Sequence, residues 1–107
     1  MQAEYYSKLN SKQRKRIREE YVKHQNNKCM FCNNSLDELP PDGITSQPID
    51  WSLFPPNFTK YPIHLQHNHD TDLTEGAVHA YCNAYMWIYE GRWYEILEFS
   101  YIGSKNF

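Results

Sequence analysis

Cysteine is scarce here, and its number is odd. Three cysteines cannot close a disulfide framework without leaving one over, so oxidative stapling is a poor account of them. Metal binding or a reactive thiol remains. Glycine is also sparse, at four residues, and no apolar run approaches the ~18 residues that a membrane-spanning helix needs. The first residues lack the apolar stretch of a secretory signal, which leads us to expect a protein used inside a cell, in cytoplasm or nucleus. The expectation is no membrane partner. Net charge is low, at −2, so composition alone names no partner.

Charge distribution says more. Lys8, Lys12, Arg14, Lys15, Arg16, Arg18, Lys23 and Lys28 fall in one segment beside only Glu19 and Glu20, whereas the chain from Cys29 on is acidic. The segment is either an ordinary solvated helix face or a surface that neutralises phosphates. We take Lys12, Arg14, Lys15 and Arg18 as candidate nucleic-acid contacts.

The 107 residues suit one domain, read as three parts. Residues 1–28 form a basic helical arm. Its helix is expected from Ser11, as N-cap, to about Gln25, with Ile17, Tyr21 and Val22 as an apolar stripe and Asn26-Asn27 as the stop. Residues 29–90 form the core. Within it, 33–60 is rich in prolines and other breakers yet carries Trp51, Leu53, Phe54 and Phe58, which predicts an ordered loop packed on the domain. A strand over Tyr61–Leu65, a turn over Asp70–Glu75, a returning strand over Gly76–His79 and a helix over Ala80–Glu90 follow. Residues 91–107 form an apolar C-terminal element that could complete the core or pair two chains, leaving monomer and homodimer both open.

Two knuckles frame the core. Cys29-x-x-Cys32 lets two thiolates reach one ion from a single turn, and His79-x-x-Cys82 repeats the spacing after 46 intervening residues. Three thiolates and one imidazole are a common closed tetrahedral set for structural Zn2+. The bland alternative makes the cysteines small buried hydrophobes and His79 an ordinary histidine. A redox reading of Cys29-x-x-Cys32 lacks the βαβ context it needs.

Between the knuckles runs Ile63-His64-Leu65-Gln66-His67-Asn68-His69, and then Gly76-Ala77-Val78-His79-Ala80-Tyr81-Cys82-Asn83. Knuckle, histidine pair, glycine, second knuckle and following Asn occur in the order found in the recombination endonuclease VII family of HNH nucleases, which this chain resembles from Cys29 to about Glu90. The resemblance implies a small α+β, zinc-stapled ββα-metal (HNH) fold and a metal-dependent DNA endonuclease or nickase. It implies Cys29, Cys32, His79 and Cys82 as structural zinc ligands, with His79 where the family usually has Cys. His67 is implied as general base and His69 as its helper at the phosphate. Asn83, with Gln66, is implied as holder of a catalytic Mg2+ or Mn2+. Gln66 departs from the family's Asp, and an uncharged amide oxygen binds a hard cation less tightly than carboxylate does. A nuclease-derived module that binds nucleic acid without cutting is the alternative, and a protein-interaction module is a third reading. DNA, branched or nicked forms included, and a phage or mobile-element origin are likewise what the resemblance implies.

The residue types suit the chemistry. Phosphodiester hydrolysis needs a base for water, and an imidazole near its ordinary pKa of ~6.5 serves at cellular pH. It also needs positive charge on the phosphate, which a hard divalent ion supplies. His64 is read as structural.

Overall fold

A computed structural model describes residues 2–90; the C-terminal apolar element of the sequence reading lies outside the described residues. Helix α1 spans Ser11–His24. Its cap is Asn10 rather than Ser11. The Asn10 side chain accepts from the Gln13 backbone N–H, and the Gln13 side chain accepts in turn from the Asn10 N–H, a reciprocal capping box. Asn26 and Asn27, both at positive φ, end the helix as expected.

A short helix α2, Asp42–Thr45, and a 3-10 turn, Trp51–Leu53, punctuate the central loop. Strand β1, Ile63–His67, pairs antiparallel with β2, Thr74–His79, and helix α3, Ala80–Tyr89, follows without a break. The order β1-β2-α3 makes a hairpin followed by a helix, the core of an α+β fold. Both strands differ from the sequence expectation. β1 begins after Pro62, whose carbonyl instead accepts from the Ala80 N–H at 2.8 Å, and it runs on to include His67. The turn therefore moves to 68–73, where the Asn68 side chain accepts from the Asp70 and Thr71 N–H groups. A register shift between Gln66 and His67 lets the hairpin close there.

The residues before α1 are no free arm. The Tyr6 N–H donates to the Asp72 carbonyl, the Thr74 N–H donates to the Glu4 carbonyl, and Tyr5 bridges Leu73, so this strap lies along the hairpin turn. Tyr6 is buried by it. Helix α1 sends Ile17 and Tyr21 into the main core with Leu36, Leu65, Val78 and Met86. A second cluster sets Phe54 and Phe58 of the central loop against Ala80, Ala84 and Trp87 of α3. The loop is thus ordered and packed, as its aromatics suggested, although Trp51 and Leu53 stay partly exposed at its rim.

Gly76 marks a close approach. The Gln25 side chain crosses beside it and pairs with Ala77 like a neighbouring strand, donating to the carbonyl at 2.9 Å and accepting from the N–H at 2.8 Å. A Cβ on Gly76 would lie 2.7 Å from Met30 Sδ and 2.8 Å from Gln25 Oε1. Gly76→Ala should therefore push Gln25 off Ala77 and lower stability by about 1–3 kcal/mol, the usual range for overpacking. Urea unfolding checks this, and an unchanged midpoint would mean the approach is loose.

Candidate metal centre and basic cleft

The loop before Asn33 places Cys29 and Cys32, and the junction of β2 with α3 places His79 and Cys82. Cys29 and Cys82 are buried, and all four ligand atoms lie within 4.8 Å of one another. The spacing legible in sequence is thus closed in space. His79 Nε2 faces the carbonyl oxygens of Ser35 at 2.9 Å and Glu38 at 2.8 Å. A carbonyl only accepts, so Nε2 carries the proton and Nδ1 presents its lone pair to the sulfurs. Nδ1 is 3.4 Å from Cys32 Sγ and 3.6 Å from Cys82 Sγ. Tetrahedral ligands at ordinary zinc–sulfur and zinc–nitrogen lengths stand about 3.6 Å apart, so the set could hold a zinc ion. The carbonyls behind His79 fix its tautomer, as outer-sphere partners of ligating imidazoles do.

Electrostatics agree with a cation at the centre. A hydrogen bond from Cys82 draws the Cys29 thiol down to about 4. The Cys29 sulfur in turn pushes the Cys82 thiol up, and burial raises Cys32. Without a cation, one thiolate prevents the others from forming. A divalent ion removes that conflict, because a coordinated thiol is deprotonated outright.

The remaining site candidates fall into one chain of contacts. Tyr6 and His67 stack face to face, centroids 3.7 Å apart. His67 stacks in turn on His69 at 4.4 Å, and His69 meets the edge of Trp87 at 4.9 Å. Trp87 Nε1 donates to Asn83 Oδ1 at 3.0 Å, which orients the amide so that Nδ2 donates to His64 Nδ1 at 3.1 Å. His64 Nε2 donates to the Phe58 carbonyl at 2.8 Å. The structure therefore brings His67, His69 and Asn83 into one neighbourhood through Trp87. Gln66 goes elsewhere: its Nε2 donates to the His67 carbonyl at 3.1 Å and to Glu75 Oε1 at 3.4 Å.

A hard divalent ion needs several oxygen ligands and room for water. Gln66 and Asn83 are both buried, and their amides are turned to different partners. In this arrangement they do not fit a Mg2+ or Mn2+ site. The Tyr6 and His64 contacts were not legible in sequence, since each joins residues by tertiary packing alone.

The four candidate cations share a cleft. Lys12, Arg14, Lys15 and Arg18 line one side of a cavity of about 450 Å³ whose other side includes Phe58, Tyr61 and His64. Among the described residues, no carboxylate lines it. The Arg14 guanidinium also lies 3.9 Å over the Tyr6 ring, on a group that is itself stacked on His67. No helix among the described residues is long and apolar enough to cross a membrane.

No protein-family model, curated protein or solved structure matches the chain.

His64 yields a pH prediction. Burial depresses its pKa to about 4 from an ordinary ~6.5. The fold holds the neutral form, so the unfolded chain binds the extra proton. Stability from this group is complete above pH ~6.5 and is lost as pH falls toward 4, by roughly 3 kcal/mol in total. Comparing unfolding free energies of wild type and His64→Asn across that window cancels the other titrations. If the difference does not vary with pH, His64 is not held neutral.

Proposed function

We propose that this chain is a zinc-stapled HNH-type nuclease domain that binds DNA along α1 and hydrolyses its phosphodiester bonds with His67 as general base. The observation that carries the reading is the Arg14–Tyr6–His67 stack, in which Tyr6 lines the cation-rich cleft and stacks on His67, so that one ring joins the cleft to the histidine pair. Phosphodiester cleavage requires phosphate recognition and proton transfer side by side. The hairpin carries His67, and the helix fixed behind it carries Asn83. A zinc ion on Cys29, Cys32, His79 and Cys82 would hold the two elements in register.

His67 would take the proton from the attacking water, and His69 would assist at the phosphate. Arg14 and its neighbours would hold the strand through non-bridging phosphate oxygens. No step is assigned to a divalent ion. A nucleic-acid-binding module that does not cut is the second reading, and specific observations favour it. His67 is buried between rings, and the Gln66 and Asn83 amides are engaged.

A plasmid-nicking assay with Mg2+ or Mn2+ separates the two. Wild type should nick, and His67→Ala should lose about 100- to 10,000-fold in rate while retaining zinc. Wild-type rates in the variant would place the base elsewhere, with His69 next. No nicking by wild type under any metal would leave the binding module.

Gln66→Asp gives a sharper test than the family pattern alone. The new carboxylate would face Glu75, to which Gln66 now donates. Two like charges there repel unless a cation joins them. The variant should therefore melt below wild type without added metal and recover with Mn2+. A melting temperature that ignores Mn2+ would mean that the carboxylates at 66 and 75 do not close on a shared cation.

A further inference from the structure

The cleft beside α1 has more structure than duplex binding asks for. Phosphates of a duplex lie on a convex surface, and a flat row of lysines and arginines meets them. Here the row borders a hollow instead. Lys12, Arg14, Lys15 and Arg18 line it with no carboxylate among the described lining residues, an arrangement that favours an anion. Arg14 Nε is buried and has no hydrogen-bond partner among the described residues. The facing wall is aromatic. Phe58 is buried, whereas Tyr61 stands 56% exposed on the lip.

Tyr61 is also a divider. Beside it lies a second hollow of about 470 Å³, which shares Arg18, Tyr61 and Ile63 with the first and continues along α1 past Glu19 and Val22 to Lys23. From Ser11 to Lys23 the helix rises about 18 Å. The two hollows thus form a track along α1 in which Lys12, Arg14, Lys15, Arg18 and Lys23 outnumber the single acid Glu19, with the exposed Tyr61 ring, 5.6 Å from Lys60 Nζ, common to both. A basic groove that follows a backbone, interrupted by a ring on which bases stack, is the usual means of holding an unpaired strand. A paired base has both faces covered by its neighbours, so the Tyr61 ring offers a duplex little.

We infer that the Lys12–Lys23 track with Tyr61 is a binding site for single-stranded polynucleotide, the phosphates on the α1 cations and a base on the Tyr61 ring. This rests on the nucleic-acid part of the proposed function and adds the class of strand. It is independent of whether His67 cuts.

The test uses the full zinc-loaded chain without added Mg2+ or Mn2+. Anisotropy of labelled oligothymidylate, oligouridylate and a mixed-sequence duplex of equal length is measured at several salt concentrations. Both single strands should bind more tightly than the duplex. Equal affinity for the two would indicate contact with phosphates and base faces alone, and tighter oligouridylate would add the ribose hydroxyl; both support the site. Tyr61→Ala should weaken oligothymidylate about tenfold, the scale of one lost stack, and Tyr61→Phe should restore it. Arg18→Glu should weaken every strand and flatten the salt dependence. Tyr61 is exposed, so retained zinc content checks that its variants are folded. Duplex binding as tight as single-strand binding, or a Tyr61→Ala protein with unaltered single-strand affinity, overturns the inference. Single-strand preference in a protein that never nicks DNA would remove the nuclease reading and leave this site standing.

Discussion

The convergence of Cys29, Cys32, His79 and Cys82 is the constraint on which the arrangement depends. Two of these ligands precede the long central loop, and two sit where β2 becomes α3. A cation there would tie the end of the α1 segment to the hairpin–helix junction, across a stretch too rich in turns to make its own sheet. Cys29, Cys82 and their neighbours Leu36, Val78 and Met86 lie in one core cluster. In a domain with two small clusters and a two-stranded sheet, apolar burial alone is modest, and a structural metal is a common remedy.

The same junction sets up the candidate chemistry. Because α3 starts immediately after His79, Asn83 follows one residue behind Cys82, a candidate metal ligand, and Trp87 lies one turn further on. Trp87 then reaches His69 on one side and Asn83 on the other. His64 ties that helix to the central loop through the Phe58 carbonyl. The histidines of the hairpin therefore owe their surroundings to helix and loop together. From the opposite side the N-terminal strap contributes Tyr6, and through it Arg14.

Much of this was legible in sequence because it is local. The paired two-residue spacings gave both halves of the metal centre, and the breaker-rich but aromatic loop gave an ordered segment. What failed was what tertiary contacts decide. Asn10 displaces Ser11 as cap because Gln13 reciprocates. The strands shift because Pro62 serves α3 and a register irregularity admits His67. Gln66 and Asn83, expected from the sequence to share one ion, face different partners here, and no spacing rule foretells where a buried amide turns. Tyr6 bears on His67 from 61 positions away, and the cleft exists only once α1 and the loop before β1 come together.

The central claim is that one zinc ion on these four ligands holds the fold. Native mass spectrometry of the purified chain, followed by circular dichroism after chelation, tests it directly. The account predicts one zinc per chain and loss of the folded spectrum when the ion is removed, with recovery on adding it back. A chain that is folded and free of zinc would contradict it.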